Sequence, residues 1–359
     1  MLESKYGMGL SFDSILIIER NTVQMSQMYN AKDNRYDTMR YHNCGKSGLK
    51  LPEISFGLWH NFGGDATENN ARDMLTTAFD LGITHMDIAN NYGPPPGYAE
   101  EIFGRIMRLD FAPYRDELTI ASKAGFLMWP GPYGEWGSRK HLISSCDASL
   151  RRTGLEYFDI FYHHRPDPDT PLEETMSALD HIVKSGKALY VGISNYGPKE
   201  SIKAFKLLRE LGTPCLIHQT KYSMLFRKPE NELFGVCERD EVGIICFSPL
   251  AGGLLTNRYL EGIPSDSRAS GDSPFLQTKQ ITPERLKTLQ ELNDVASGRG
   301  QTLAQMALNW TLRHSSMTSA LIGASSAKQI KDCVKAVGAA GFSDEELSKI
   351  DELTKNVQL

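Results

Sequence analysis

The sequence predicts an α/β chain folded as a (β/α)8 TIM barrel. Three observations carry that expectation. Eight short apolar runs recur along the chain, at 54–59, 85–89, 118–124, 157–164, 188–194, 215–219, 242–249 and 320–323. Amphipathic stretches of helical length separate them. Polar residues gather at the C-terminal ends of the runs. Strand, helix, strand, helix implies parallel pairing, because parallel neighbours need a crossover. Eight such units fit a closed barrel better than an open sheet. An open doubly wound sheet that binds a dinucleotide would carry a Gly-rich turn after its first strand. No G-x-G-x-x-G and no G-x-x-x-x-G-K-[ST] occurs.

Taken in order, residues 1–40 are polar and without sustained period. They read as a poorly ordered extension. Residues 41–359 read as one barrel, with a cofactor-covering loop at about 251–280. The helical stretches show the required spacing. Leu172, Met176, Leu179 and Val183 recur every three or four residues, as do Leu303, Met306, Ala307 and Trp310. Gly82, Gly186 and Gly212 follow predicted helices, where a left-handed cap suits glycine.

The net charge of -5 gives no general basic face for nucleic acid or an anionic membrane. No apolar run approaches the roughly 18 residues that span a bilayer. The run Ile15-Leu16-Ile17-Ile18 has neither a basic leader nor a small-residue cleavage site, so no secretory signal is read. Cys44, Cys146, Cys215, Cys237, Cys246 and Cys333 form no C-x-x-C pair and read as buried, reduced thiols of a cytoplasmic protein.

In a barrel, catalytic side chains come from the C-terminal strand ends and the loops beyond them. Those ends hold Asp87 and Tyr92, Lys123, His163-His164-Arg165, Ser194-Asn195, His218-Gln219, and Phe247-Ser248. A lone Asp–Lys pair is ordinarily structural, and a lone loop tyrosine ordinarily packs. Their joint placement on consecutive strand ends points to chemistry. Carbonyl reduction needs a hydride on carbon and a proton on oxygen. A free phenol is a weak acid, with a pKa of about 10. An ammonium beside it favours the phenolate. Lys123 supplies that ammonium, Asp87 holds Lys123, and a neutral histidine orients the substrate oxygen. The tandem histidines have no third ligand at metal spacing, so no metal is expected.

At these residues the chain resembles the aldo-keto reductase superfamily, over about residues 40–355. The resemblance rests on GITHMDIANNYG at 82–93, Ser122-Lys123, DIFYHH at 159–164 and GISN at 192–195. GLWHNFG at 57–63, YGPPPG at 92–97, WPGPYG at 129–134 and SPLA at 248–251 resemble one branch. It contains bacterial L-glyceraldehyde 3-phosphate reductases and potassium-channel β-subunits. The resemblance implies a catalytic tetrad of Asp87, Tyr92, Lys123 and His164. The channel subunits resemble an Asn at the position of His164.

The resemblance also implies an NADPH site. Ser194, Asn195 and Gln219 fall on the carboxamide holders and Phe247 on the ring that stacks on the nicotinamide. Ser248, Leu250 and Gly253 fall beside the pyrophosphate, with Arg258 and Arg268 in the closing loop. Gly323, Ser325, Gln329 and Asp332 fall at the adenosine end. Asp332-Cys333 replaces the Glu-Asn often seen there, and Arg258 stands where Lys is frequent.

Trp59, His60, Trp129 and Tyr133 are placed at the pocket mouth, and Arg165 is expected to meet an anionic substrate group. The implied function is NADPH-dependent reduction of small aldehydes and ketones, including L-glyceraldehyde 3-phosphate and methylglyoxal. The branch commonly assembles, so a homo-oligomer is expected. The competing reading is a redox-sensing binding partner with slow turnover, like the channel subunits. A barrel lyase or isomerase independent of nicotinamide is the third.

Overall fold

The computed structural model describes residues 29–64, 66–262 and 281–359. Eight parallel strands close into a barrel: β3 (Ile54–Gly57), β4 (His85–Asp87), β5 (Thr119–Ala124), β6 (Phe158–His163), β7 (Ala188–Ser194), β8 (Cys215–Lys221), β9 (Gly243–Phe247) and β10 (Met317–Ile322), with β10 pairing to both β9 and β3. All eight apolar runs form the expected strands. The last starts earlier, at Met317, because polar Ser319 still joins the ladder beside Ile245, with the register shifting at Thr318.

The helices cover the outside: α1 (Glu68–Asp80), α2 (Tyr98–Ile106), α3 (Arg139–Thr153), α4 (Leu172–Lys184), α5 (Pro198–Glu210), α6 (Leu233–Arg239), α7 (Pro283–Gly298), α8 (Leu303–Leu312), α9 (Ala327–Val334) and α10 (Asp344–Thr354). Several begin on a side-chain oxygen that satisfies an orphan backbone N–H, as Thr67 does for α1 and Ser138 for α3. Thr302 and Gln305 close a reciprocal capping box at α8.

A short antiparallel hairpin was not expected. β1 (Tyr41–Asn43) and β2 (Lys50–Pro52) precede the barrel. The strands are three residues each, too short for an alternating pattern to register. The hairpin lies across the N-terminal strand ends, where the Lys46 amide donates to Glu241 O. It seats Leu51 and Cys44 against Ala121, Ile160, Ile217 and Ile245 inside the barrel. The bottom is thereby plugged with apolar side chains, and polar groups are left for the opposite rim.

Strand alternation then sets the rim. Residues two apart face the same way, so Lys123 stands above Ala121, Tyr162 above Ile160 and Gln219 above Ile217. Gly192 is required in this layer: a Cβ there would lie 2.5 Å from the Tyr162 ring.

Residues 29–40, read from sequence as part of a poorly ordered extension, instead pack against the barrel wall. The Tyr29 hydroxyl donates to Asp80 at 2.5 Å, the Ala31 amide to the Tyr114 hydroxyl at 3.0 Å, and Arg35 pairs with Glu117. Their partners lie some 50 to 80 residues away, so no local pattern marked them. Residues 1–28 fall outside the described residues. Among the described residues, no helix is long and apolar enough to cross a membrane.

Candidate active site

The rim is organised around a fully buried ion pair. Lys123 Nζ donates to Asp87 Oδ2 at 2.5 Å and to the Ile88 carbonyl at 2.8 Å. Gln219 Nε2 donates to the other oxygen, Asp87 Oδ1, at 3.0 Å. Both carboxylate oxygens are thus satisfied, as a buried charge requires. Burial lowers the Lys123 pKa, and Asp87 opposes that shift. Behind β5, Ser122 donates to buried Glu100, whose second oxygen takes Arg152. This braces the strand on its outer face.

Tyr92 stands above the pair, with Lys123 Nζ 5.0 Å from its ring centre. The expected acidification by Lys123 is not the net result. Burial first, then the Asp87 carboxylate, hold the phenol well above its usual pKa. Desolvation is the larger cause, and the carboxylate acts in the same direction. Tyr92 therefore rests as a neutral phenol that retains its proton. Trp59 stacks on it, ring centres 5.5 Å apart and planes 16° from parallel, and His60 stacks on Trp59 in turn.

His164 meets Tyr92 edge-on at 5.9 Å. Burial depresses its pKa well below the usual histidine range, with Lys123 adding to the effect. It rests as a neutral imidazole that can donate one hydrogen bond without adding a charge. Its neighbour His163 faces the other way: Nδ1 bonds the Tyr196 hydroxyl at 2.6 Å, and the side chain is fully enclosed. One strand end thus supplies one pocket histidine and one structural histidine.

The second half of the rim continues with Ser194, Asn195 and Gln219. Asn195 adopts φ 62°, a left-handed conformation its short amide tolerates. Its Nδ2 faces the His164 carbonyl at 2.9 Å and Ser194 Oγ at 3.1 Å. That turns the Asn195 amide oxygen away as an acceptor and leaves the Ser194 hydroxyl proton as a donor. An acceptor beside a donor matches a primary carboxamide. Phe247 ends β9, half-buried.

Beyond it the backbone turns left-handed at Ser248, Ala251, Gly252 and Gly253. The turn closes on itself, with the Ala251 amide donating to Ser248 O and the Gly253 amide to Leu250 O, both at 2.9 Å. Leu250 packs on the core here. Arg258 follows on a short turn capped by Thr256. Arg268 falls outside the described residues, as does much of the expected closing loop. These donors fit a nicotinamide dinucleotide in type and order.

The far end of that set is less uniform. A Cβ on Gly323 would meet open space. Ser325 donates through its backbone N and its Oγ to Gln329 Oε1, at 2.8 and 3.2 Å. Asn70 and Asn61 tie this turn to the loop after β3 by bonds to Ser325 O and Ala324 O. The Asp332 carboxylate, placed by sequence at the adenosine, accepts from Gln305 Nε2 at 2.7 Å. It is spent on the start of α8.

Arg165 also departs from expectation. Its Nε donates to the Gly125 carbonyl at 3.0 Å and its Nη2 to Glu135 at 2.6 Å. The guanidinium lies 3.6 Å from the Trp136 ring centre and 4.3 Å from that of Phe126. It is enclosed by the loop after β5 rather than offered to a substrate anion. Trp129 is exposed, 6.2 Å from the buried His141 ring, and Tyr133 is exposed beside it on the same loop. Sequence reasoning missed Phe126, whose ring stands edge-on to His164 at 4.6 Å. The available signal was its position, the first aromatic after Lys123.

A parallel eight-stranded barrel with a buried Asp–Lys pair, a protonated tyrosine and a neutral histidine at its C-terminal rim defines a class: an oxidoreductase built for carbonyl groups. The comparisons narrow it. The aldo/keto reductase family matches residues 53–355, and this chain belongs to that family. It is 55% identical to the L-glyceraldehyde 3-phosphate reductase of Escherichia coli (strain K12) over 326 residues, 90% of this chain and 94% of the relative. It is 35% identical to a probable voltage-gated potassium channel subunit beta of Arabidopsis thaliana over 305 residues, 83% and 91% of the two chains. A probable subunit of the same kind from Oryza sativa subsp. japonica is 32% identical over 326 residues, covering 89% and 97%.

Proposed function

We propose that this protein reduces short aldehydes with NADPH, and that L-glyceraldehyde 3-phosphate is its principal substrate. The single observation that carries the reading is the rim itself. Tyr92, held protonated by burial, stands beside neutral His164 and above the Asp87–Lys123 pair. The 55% identity to a reductase of that substrate supports the choice of aldehyde. Methylglyoxal and plain glyceraldehyde are secondary substrates of the same size.

Ser194, Asn195 and Gln219 would hold the carboxamide, Phe247 the ring, and the 248–253 turn the pyrophosphate. Ser325 near the start of α9 would face a 2′-phosphate, where a helix N-terminus favours an anion. The bound cofactor supplies a hydride to the carbonyl carbon. The protein's own part is at the oxygen. His164 donates a hydrogen bond that orients the carbonyl and stabilises developing alkoxide charge. Tyr92 delivers its hydroxyl proton to that oxygen. The resulting phenolate would be stabilised by Lys123, which Asp87 keeps charged. The rings of Trp59 and Phe126 exclude water from these two groups. We place this activity in the cytoplasm, in a homo-oligomer.

The test is steady-state NADPH oxidation with phosphorylated and plain glyceraldehyde, with NADH in parallel. A higher kcat/KM for the phosphorylated aldehyde with NADPH is expected. Equal values for the two aldehydes would remove the phosphate preference and leave the reductase. The channel-subunit likeness supports one other reading, a cofactor-binding partner of another protein. Tight NADPH binding with turnover far below ordinary enzymes would put that reading first.

A further inference from the structure

The loop between β5 and α3 is built around Arg165. The Gly125 carbonyl at its base accepts from both Arg165 Nε and the Trp136 amide, each at 3.0 Å. Glu135 binds the far side of the guanidinium. Trp136 sits at φ 73°. A bulky side chain rarely adopts that conformation, and it persists only where the surroundings impose it. Its ring covers one region of the guanidinium and Phe126 another. Gly125, at φ 146°, takes a backbone conformation that side chains rarely adopt, and a Cβ there would stand 3.3 Å from His164 Cβ. These contacts tie the two ends of the loop together at Arg165, where the Phe126 ring stands edge-on to His164. On the opposite side, Trp59 covers Tyr92.

We propose that Arg165 and Glu135 are positioning residues that fix Phe126 as the wall of the substrate pocket, and so set its preference for small aldehydes. This rests on the reductase reading above. Among the described residues, Arg165 makes no hydrogen bond or ring contact with Tyr92 or the Asp87–Lys123 pair; its charge also acts on His164, which lysine would preserve, and its shape acts through Phe126. The planar stack and the fork of N–H donors are both used. Lysine, a point charge on a flexible stem, supplies neither. With the clamp released, Phe126 moves from His164, the pocket widens, and selection against bulky aldehydes relaxes.

The experiment measures kcat/KM for DL-glyceraldehyde and for benzaldehyde, with NADPH dissociation constants and melting temperatures, in wild type, Arg165→Lys, Glu135→Gln, Phe126→Ala and the Arg165→Lys/Phe126→Ala double variant. The ratio of glyceraldehyde to benzaldehyde efficiency should fall about tenfold in Phe126→Ala, the scale of losing apolar contact in a pocket. It should fall in the same direction, by less, in Arg165→Lys and Glu135→Gln, with NADPH binding retained. Adding Arg165→Lys to Phe126→Ala should change the ratio no further. A purely structural arginine would lower the melting temperature and leave the ratio alone, and that result overturns the proposal. A wild type that turns over both aldehydes, with ratios unmoved in all folded variants, removes the clamp and keeps the reductase. A wild type that turns over neither removes both.

Discussion

The two halves of the rim are built differently. The half bearing Asp87, Lys123, Tyr92 and His164 stands on strand ends or one short loop from them, and all four are nearly or fully buried. The half bearing Ser248, Gly253, Arg258 and Ser325 stands on turns, with left-handed backbone at Ser248 and Gly253 and with Ser325 and Arg258 exposed. A catalytic constellation needs its atoms held within fractions of an ångström, which strands provide. The dinucleotide proposed for the second half is long and flexible, and exposed turns give it a path. The first half is expensive to disturb and the second inexpensive.

Acid is the strongest way to probe the strand half. Four of its histidines are buried: His85 and His218, each held at a pKa of about 4, His163 at about 3, and His164 well below the normal range. Desolvation is the leading cause in each. A histidine whose folded pKa is depressed binds its proton more readily when unfolded. The stability it contributes is therefore full above the unfolded pKa near 6.5 and is lost as pH falls below it. Each group adds a slope of roughly 1.4 kcal/mol per pH unit over that window. The urea midpoint should drop steeply between pH 6.5 and 4.5. A flat midpoint across that range would mean that these side chains are not enclosed.

Next in size is Lys123→Met, which strands the Asp87 carboxylate in the barrel. Removing one partner of a buried pair costs about 3–5 kcal/mol. Denaturant unfolding should reveal that loss, and Asp87→Asn combined with Lys123→Met should recover part of it. Equal stability of single and double variants would mean the pair is not coupled. The smallest effect sharpens the contrast. Asp332→Asn should lower stability by about 1 kcal/mol through its bond to Gln305, while NADPH affinity stays within twofold. A large loss of NADPH affinity would return Asp332 to the cofactor site.

What the sequence made legible follows the same division. The eight strands and the rim residues are legible because short apolar runs recur between amphipathic stretches and alternation dictates which side chains face inward. His163 and His164 could not be told apart by type, but period-2 geometry separates them. The fate of Arg165 and Asp332 was not readable. Each is claimed by a partner on another segment, Glu135 and Gln305. An arginine beside a rim histidine looks the same whether it meets a substrate or a neighbouring loop. The acidity of Tyr92 is illegible in sequence for a related reason: desolvation and the nearness of the Asp87 carboxylate arise only in the fold. Residues 29–40 were taken for a loose leader because their anchors, Asp80, Tyr114 and Glu117, lie far along the chain.

The central claim is that Tyr92 gives up its proton to a carbonyl oxygen. The direct measurement is the rate of NADPH absorbance loss with L-glyceraldehyde 3-phosphate in wild type and Tyr92→Phe, alongside NADPH binding by fluorescence. The account predicts unchanged binding and a kcat lower by roughly 10²-fold or more in the variant. Wild-type turnover in Tyr92→Phe would place the proton donor elsewhere and contradict the account.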